Sequence, residues 1–276
     1  MYNFQFHRPT GLRQASNMMG KLEEAKILAG GQTLIPTMKL RLASPNNLVD
    51  LNTVEGLSGI EVKGRSIVIG AMTRHVEVAT SAAVKENIPA LAYLAGLIGD
   101  PAVRHRGTLG GSVANNDPNS DYPAACVGLG ATIHTTKGKH EADAFFKGLF
   151  ETALAPDEII TKVSFPIVKK AGYEKFRNQA SRFALVGVFA SKRGSEIRVA
   201  VTGAGSNGVF RVASFEEALK KRFAPKSLEG LTIPADGMNS DIHGSAEYRA
   251  HLVGVMARRA VARANEAPGG EGEGEE

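Results

Sequence analysis

Apolar residues recur with a helical period near the start of the chain. After Thr10, the positions Leu12, Ala15, Met19 and Leu22 are three or four residues apart, which predicts a helix capped by the threonine. The run AKILAGG that follows predicts a strand that leads into a glycine turn. The predicted order is therefore helix, strand, glycine turn.

Alternating apolar and polar residues predict further strands and two β-hairpins. NLVDL predicts a short buried strand, and the alternation on both sides of Lys63-Gly64-Arg65 predicts a hairpin. ATIHTTKGKHEADAF predicts a second hairpin, and IITKVSFP predicts a strand that ends at Pro166. Strands in this part of the chain are thus expected to pair locally and antiparallel.

Helical patterns occupy the stretch between the two hairpins. TRHVEVATSAAVKENI and PALAYLAGLIG predict two helices separated at Pro89, because proline suits a first helical turn, and YPAACVGLGA predicts a short third helix. The segment from Asp100 to Pro123 has neither period and is rich in Gly, Asn and Asp. Such a long loop inside a compact domain is usually functional, so we expect a site there.

The C-terminal third combines strands with two helices. GYEKF, RFALVGVFAS and EIRVAVTGAG predict strands, EEALKKRF predicts a helix, and EYRAHLVGVMARRAVARA predicts a long helix whose basic face, from Arg249 to Arg263, we expect to be solvated. Regular βαβ alternation is missing from the pattern. The fold class predicted is therefore α+β.

Composition narrows the function classes. The chain has 276 residues, 43% of them hydrophobic, and a net charge of +5 that is dispersed, so a globular protein without a nucleic-acid site is predicted. Its single cysteine, Cys126, excludes an intrachain disulfide and places any iron–sulfur cluster on another chain; we expect this thiol to be a small core residue. No apolar stretch suits a signal peptide or a membrane span, so we expect a cytoplasmic protein without membrane insertion.

Two glycine-rich segments contain the residues most suited to binding a cofactor. In LAGGQTLI, a predicted strand leads to Gly30 and Gly31, and Gln32 and Thr33 follow at the predicted start of a helix. Consecutive residues without Cβ let main-chain N–H groups converge on an oxyanion, and the helix dipole favours the same charge. Neither the Rossmann nor the P-loop fingerprint is present at this turn.

The second segment, RHRGTLGGSVANNDPNSD, alternates glycines with short hydrogen-bonding side chains. Such a loop can approach a polar ligand closely and supply donors and acceptors, which suits a nucleotide with a pyrophosphate and a polyol chain. Two tight turns in a glycine-rich protein are the structural alternative for either segment taken alone. No histidine spacing indicates a zinc site, so no metal is predicted, and no G-x-S-x-G elbow indicates a hydrolase.

Four motifs together resemble one known family. LAGGQTLIPTMKLRLA, IGDPAVRHRGTLGGSVANNDPNSDYPAA, KFRNQASRFALVGVFAS and SDIHGSAEYRAHLVGVMARRA are similar to the FAD-binding medium subunit of molybdenum hydroxylases, the group of aerobic carbon monoxide dehydrogenase and xanthine dehydrogenase. The amino-acid sequences of the motifs are most similar to those of the carbon monoxide dehydrogenase branch. The likeness spans about residues 1–265.

The resemblance implies a set of residues that contact FAD. The pyrophosphate would lie along a first segment, with the main-chain N–H groups of its residues 30–33 as donors: Leu28, Ala29, Gly30, Gly31, Gln32, Thr33, Leu34 and Ile35. A second clamp would be formed by Thr108, Gly110, Gly111 and Ser112. The remaining implied contacts are Asn115 and Asp117 near the phosphate and ribityl region, Asp121 near the flavin, and Ile160 and Arg177.

The resemblance also implies the architecture. We expect a two-subdomain FAD-binding unit of the PCMH/VAO-like type over residues 1–170, divided into 1–57 and 58–170. A C-terminal α+β domain with an antiparallel sheet would span residues 171–265, and a disordered acidic tail would span residues 266–276.

An electron-relay role is implied as well. In this family electrons pass from a molybdenum cofactor on a large subunit through two [2Fe-2S] clusters on a small subunit to FAD on the medium one. Partners of both kinds, in a dimer of heterotrimers, are therefore expected, with no catalytic acid or base on this chain.

Three alternatives stay open from the residues. Asp121 could cap the helix that begins near Pro123 instead of facing the flavin. The chain could be a stand-alone flavin-dependent oxidoreductase, although no candidate general base stands out in the glycine segments. It could also be a non-catalytic assembly module that binds a nucleotide without redox turnover.

Overall fold

The computed structural model describes residues 1–266 and has an α+β fold. The acidic tail predicted for residues 266–276 lies, apart from Glu266, outside the described residues. The strands are β1 (Gln5–His7), β2 (Ala25–Leu28), β3 (Asn47–Asp50), β4 (Ile60–Lys63), β5 (Ser66–Gly70), β6 (Thr132–Thr135), β7 (Lys139–Glu141), β8 (Phe146–Gly148), β9 (Glu151–Thr152), β10 (Ile160–Pro166), β11 (Lys170–Arg177), β12 (Ala184–Arg193), β13 (Glu196–Thr202) and β14 (Phe210–Arg211). The α-helices are α1 (Leu12–Lys21), α2 (Leu34–Lys39), α3 (His75–Thr80), α4 (Ala82–Asn87), α5 (Pro89–Gly96), α6 (Pro101–Arg106), α7 (Leu109–Asn115), α8 (Tyr122–Leu129), α9 (Ala142–Phe145), α10 (Ala213–Lys221) and α11 (Ala246–Asn265).

A small parallel sheet lies at the N-terminus. Its strand order is β1-β3-β2, with β3 paired to both neighbours. Ala15 of α1 is fully buried and packs with Val49, Leu51 and Leu57 in one apolar cluster, which also takes in Ile159 from the chain just before β10. The first glycine segment leaves this sheet at the end of β2.

A five-stranded antiparallel sheet forms the middle of the molecule. Its order is β4-β5-β10-β6-β7, and both predicted hairpins are present, with β10 joining them. Helices α3 to α5, α7 and α8 contribute to the apolar cluster that includes Ile67, Ile69 and Val163 of this sheet. The second glycine segment enters this layer as α7 and reaches α8.

The C-terminal sheet is antiparallel, in the order β11-β12-β13-β14. One face packs against α10 and α11, as in the cluster that contains Val188 and Val253. The opposite face reaches the central cluster, to which Tyr173, Phe189 and Ala200 belong. Because both faces are covered, β12 is buried along most of its length and appears in the sequence as a continuous apolar run.

The structure corrects four expectations drawn from the sequence. The stretch from Asp100 to Pro123 is not a long loop, because it contains α6 and α7, which are too short to show a period. Asp100 and Thr108 cap them by accepting hydrogen bonds from Val103 N (2.8 Å) and Gly111 N (3.2 Å). The predicted helix before Pro89 is divided at Ser81, which caps α4.

The third correction concerns the basic face of α11. Arg249 is 2% exposed, and its guanidinium donates to the carbonyl oxygens of Leu185 and Gly203 and to the Asp241 carboxylate, so this end of the helix is buried and not solvated. At the start of the chain, Gly11 and not Thr10 occupies the cap position of α1.

Of the helices within residues 1–266, none combines the length and apolar character that crossing a membrane requires. Over the same residues, no group of three or more His, Cys, Asp or Glu side chains could hold a metal ion.

Candidate functional site

The first glycine segment presents a row of main-chain donors. After β2, the chain turns through residues 30–33, with Gly31 in the left-handed region at φ +73°, before α2 begins. Across residues 1–266, the N–H groups of Gly30, Gly31, Gln32 and Thr33 have no hydrogen-bond acceptor, and Gln32 and Thr33 are exposed. Successive N–H groups in such a turn form a concave site for an anion. The residues present therefore fit a pyrophosphate.

The N-terminal sheet supports the turn at residues 30–33 through hydrogen bonds. The carbonyl oxygen of Ala29 accepts a hydrogen bond from the Asn52 side chain at 3.1 Å, and Asn52 is itself bonded to Asp50 at the end of β3. Leu28, Leu34 and Ile35 are half-buried, and Ile35 covers Gly31 so closely that a Cβ there would lie 2.9 Å from its Cγ1. Asn52 and Ile35 therefore support the backbone whose N–H groups are free.

The two glycine segments touch each other. A Cβ at Gly30 would lie 2.2 Å from the carbonyl oxygen of Arg106 and 2.7 Å from the Cα of Gly107. A Cβ at Gly111 would lie 3.5 Å from the side chain of Ala29. At position 30, only a residue without a side chain allows the backbones to approach to this extent. Segments that are remote in sequence therefore meet at one place.

The second segment uses its own amides internally. The N–H of Gly110 donates to Ala71 O at 2.8 Å, that of Gly111 to the Thr108 hydroxyl at 3.2 Å, and that of Ser112 to Thr108 O at 3.1 Å. A ligand at this segment must therefore be contacted mainly by side chains. Within residues 1–266, main-chain N–H groups without an acceptor are therefore found at residues 30–33, whereas those of residues 110–112 are bonded within the protein.

Hydroxyl groups supply the donors that these amides do not. The Thr108 oxygen accepts from Gly111, which leaves its own hydrogen available. Ser112 Oγ and Ser120 Oγ lie 2.6 Å apart, and because only one hydrogen lies between them, the other hydroxyl hydrogen can serve a ligand. Thr108 and Ser112 therefore remain suitable contacts.

The turn after α7 carries Asn115 and Asp117. Both are half-buried, and Asp117 accepts a hydrogen bond from the N–H of Asn119 at 2.9 Å. Burial raises the pKa of Asp117 above its ordinary value. The turn itself is pinned by Asn116, which has φ +43° and donates from Nδ2 to the carbonyl oxygens of Gly148 and Glu151, each at 2.8 Å.

Asp121 lies in a buried charged network. Its carboxylate accepts hydrogen bonds from the Tyr173 hydroxyl at 2.5 Å and from the Lys175 ammonium at 2.9 and 3.1 Å, and Lys175 also donates to Leu97 O at 2.9 Å. Burial raises the pKa of Asp121, whereas the ammonium and the hydroxyl act in the opposite direction. The side chain makes no cap hydrogen bond to α8, so the capping alternative is wrong.

Sequence reasoning missed Lys175 and Tyr173. The structure brings Lys175 to Asp121, whereas Arg177 is exposed at the end of β11 and forms no ion pair within the described residues. The signal was present in the strand GYEKFR, because Tyr173 and Lys175 are two residues apart and share a face. A lysine on the same strand face as a buried tyrosine is itself expected to be buried. A buried ammonium group needs an anion beside it, because burying an unpaired charge is costly.

Ile160 and His75 lie around the same region in different roles. Ile160 starts β10 and is buried in the central cluster, while its neighbour Ile159 belongs to the N-terminal cluster, so this point joins the two cores. His75, which sequence reasoning left without a role, packs beneath the second segment, since a Cβ at Gly107 would lie 2.5 Å from its Nε2. Burial, with a smaller contribution from Arg104, lowers the pKa of His75 to about 4.

Comparison with known proteins shows one consistent likeness. The family model described as the FAD binding domain in molybdopterin dehydrogenase matches residues 2–168. The carbon monoxide dehydrogenase medium chain of Hydrogenophaga pseudoflava is 34% identical over 274 residues, covering 94% of this chain and 96% of that protein. The nicotine 6-hydroxylase medium subunit of Paenarthrobacter nicotinovorans is 35% identical over 274 residues, covering 94% and 96%.

Solved structures agree in fold. Carbon monoxide dehydrogenase from Hydrogenophaga pseudoflava, in a form that lacks the Mo-pyranopterin moiety of its cofactor, superimposes with a TM-score of 0.83 at 33% identity. The match covers 95% of this chain and 97% of that chain.

Proposed function

This chain belongs to the family of FAD-binding domains in molybdopterin dehydrogenases, and from that membership we propose that it is the flavin-carrying electron-transfer subunit of a heterotrimeric molybdenum hydroxylase. The observation that carries the proposal is the meeting of the two glycine segments, beside which four main-chain N–H groups have no acceptor among residues 1–266. Such a place can bind a dinucleotide pyrophosphate without a lysine or a metal ion.

Each part of the site would hold a different part of the cofactor. The N–H groups of residues 30–33 would bind the pyrophosphate, and the hydroxyl groups of Thr108 and Ser112 would complete that contact. Asn115 and Asp117 would contact the ribityl region, and Asp121 would lie near the flavin, held by Lys175. Ile160 and Arg177 are proposed contacts that rest on the resemblance alone.

FAD, when bound, supplies the exchange of one or two electrons, and the protein supplies binding, orientation and electrostatics. The residues of this chain hold it by neutral donors at the phosphates. The buried Asp121–Lys175 pair places a fixed dipole where the flavin is proposed to lie. With these residues around the cofactor, the proposed role of the chain is electron transfer through FAD, without an acid–base step of its own.

The partners follow from the family. The relatives are named as the medium chain of a carbon monoxide dehydrogenase and the medium subunit of a nicotine 6-hydroxylase. We therefore propose two partners for this chain: a small iron–sulfur subunit that donates electrons and a large molybdopterin subunit that oxidises the substrate. A dimer of heterotrimers and a cytoplasmic location are also proposed. The single cysteine suits a reducing compartment.

The domain division proposed for this function places the FAD-binding unit at residues 1–170, in parts 1–57 and 58–170, and the C-terminal domain at 171–265. Support comes from the sheets, since the parallel sheet ends at Asp50, the five-stranded sheet ends at Pro166 and the third sheet begins at Lys170.

One experiment separates this function from its rivals. The full chain is titrated with FAD and followed by visible absorbance, then mixed anaerobically with the reduced small subunit. We expect stoichiometric flavin binding, reduction of the flavin by the small subunit, and no substrate oxidation by the chain alone. Turnover of substrate without partners would indicate a stand-alone oxidoreductase, and failure to bind FAD would favour an assembly module.

A further inference from the structure

A cavity of about 540 Å³ lies between the central layer and the C-terminal helix α11. Its walls come from the β4–β5 turn, the end of α4, the first turns of α5, the connection from β10 to β11 and the last turn of α11, and we call it the inter-domain cavity. Cavities that bind small molecules have about 300–1,000 Å³ and often lie between domains. This one has the size and the position of such a site.

Apolar side chains form much of the wall. Ile88, Ala90 and Val168 are buried, and Ile167 and Ala171 are half-buried. Of the residues proposed above to contact FAD, none lines this cavity. The inter-domain cavity is therefore separate from the proposed cofactor site, and it suits a ligand with an apolar body.

Two cations line the cavity where the β4–β5 turn meets the connection from β10 to β11. These are Arg65 and Lys169, and their main chains are neighbours because Ile167 N donates to Arg65 O at 2.8 Å. Among the ion pairs of residues 1–266, none includes either cation. A guanidinium and an ammonium without carboxylate partners can bind the carboxylate of a ligand by charge-assisted hydrogen bonds.

An aromatic ring and a third cation line the cavity from α5 and α11. The guanidinium of Arg263 lies 4.1 Å from the centre of the Tyr93 ring, and it also donates to the carboxylate of Glu174, so its charge is already paired. Burial raises the pKa of Tyr93, so the hydroxyl keeps its hydrogen and can donate. Tyr93 therefore offers aromatic surface and one donor to a ligand.

Carboxylates limit the charge that the cavity accepts. Glu86 and Glu266 belong to its wall, so a ligand with several negative charges would be repelled, whereas one carboxylate can be bound by Arg65 and Lys169. We propose that the inter-domain cavity binds a small organic monoanion, with a flat apolar body among the apolar side chains and its carboxylate at Arg65 and Lys169. The proposal does not depend on the proposed function, because it uses none of the residues assigned to FAD.

The test uses 2-naphthoate as the probe, because it combines a flat apolar body with one carboxylate. Its binding to the full chain is measured by isothermal titration calorimetry, with and without saturating FAD, and is compared with binding of the neutral 2-naphthamide. Arg65→Gln/Lys169→Gln removes both cations of the cavity. Arg13→Gln/Lys21→Gln is the matched control, because it removes two exposed cations that line a different groove, along α1.

We expect 2-naphthoate to bind one site per chain, equally well with and without FAD. Loss of the charge on either side, by 2-naphthamide or by Arg65→Gln/Lys169→Gln, should weaken binding at least about tenfold, whereas the control should bind 2-naphthoate as the wild type does. All four substituted side chains are exposed, so the thermal unfolding of both variants without probe should match that of the wild type.

Three results would each overturn the proposal. The first is a lack of saturable binding of 2-naphthoate to the wild-type chain. The second is equal weakening by the two double variants, which would indicate attraction to the net charge of the protein and not to this cavity. The third is displacement of the probe by FAD, which would place it in the cofactor site. Failure of FAD to bind would count against the proposed function alone.

Discussion

Position 30 in the first glycine segment requires glycine for a reason other than backbone conformation. Its φ is not left-handed, so the turn itself does not demand it. The demand comes from the neighbouring backbone, since a Cβ there would lie 2.2 Å from Arg106 O. Conformational freedom explains Gly31, whereas close approach explains Gly30.

Gly30→Ala should therefore separate the two glycine segments. The added methyl group meets backbone atoms, which cannot rotate away, so we expect FAD affinity to fall at least about tenfold, as determined by fluorescence titration. Gly138→Ala is the matched control, because its Cβ would meet nothing within 4 Å and its φ is ordinary. Equal FAD affinity in the two variants would show that the contact between the segments is irrelevant to binding.

The Asp121–Lys175 pair makes a prediction with a defined sign. Lys175→Met leaves a buried carboxylate without its cation, which should lower the free energy of unfolding by about 3–5 kcal/mol at pH 8. The pKa of Asp121 should then rise further, so the folded state binds a proton at lower pH and recovers part of that stability. Urea unfolding at pH 8 and pH 5 should give the larger loss at pH 8.

The control for this pair is Lys175→Met/Asp121→Asn, which removes both charges. We expect it to be more stable than the single variant at pH 8 and to lack the added pH dependence. An equal loss for Lys175→Met at both pH values would contradict the assignment of Asp121 as the group that titrates.

His75 should make stability depend on pH in the opposite sense. Its pKa is lowered from 6.5 to about 4 in the fold, so the unfolded chain takes up a proton at a higher pH than the folded one does. The contribution of His75 to the free energy of unfolding is therefore complete above pH 6.5. As the pH falls towards 4, this free energy decreases by about 3 kcal/mol. In His75→Phe this dependence should be missing, and unfolding curves of the two proteins that stay parallel from pH 7 to 4 would refute it.

At the scale of elements, α11 packs directly on β11 through a glycine. A Cβ at Gly172 would lie 2.0 Å from the carbonyl oxygen of Ala260, so Gly172→Ala must push the helix away, and we expect a loss of about 1–3 kcal/mol. Gly254→Ala, within α11, meets only ordinary contacts at 3.7 and 3.8 Å. It should stabilise the protein by about 0.5–1 kcal/mol. Thermal unfolding of both variants checks the pair, and two changes of the same sign would contradict it.

Elements with a recognisable pattern of apolar residues were predictable, and helices too short to show such a pattern were not. The hairpins at β4–β5 and β6–β7, the strand β10 and the helices α8 and α11 follow the pattern of apolar residues. Helices α6 and α7 have six and seven residues, too few for an apolar period, and are set by their caps at Asp100 and Thr108. The burial of Arg249 could not be predicted, because its acceptors, Leu185 O in β12 and Gly203 O after β13, are remote in the sequence.

The segments of the candidate site could be identified from the sequence, but their hydrogen bonds could not. The glycine segments and their likeness to a known family were visible in the sequence. The engagement of the Gly110 amide by Ala71 was not, since it depends on how α7 lies against β5. The same holds for Lys175, whose partner Asp121 belongs to another element far along the chain.

In the molecule as a whole, the proposed cofactor site draws on three sheets: the parallel sheet, the five-stranded sheet and the C-terminal sheet. The parallel sheet supports the free amides, the central layer carries α7 and α8, and β11 of the C-terminal sheet supplies Tyr173 and Lys175. We therefore expect FAD binding to require that all three of these sheets are folded.

We propose that FAD is bound by the free main-chain N–H groups of residues 30–33, where the two glycine segments meet. Hydrogen–deuterium exchange of the full chain, with and without saturating FAD, tests it most directly. We predict slower exchange at Gly30, Gly31, Gln32 and Thr33 on FAD binding, with little change at the Gly110 amide, which is already bonded to Ala71. Stoichiometric FAD binding that leaves exchange at residues 30–33 unaltered would contradict the account.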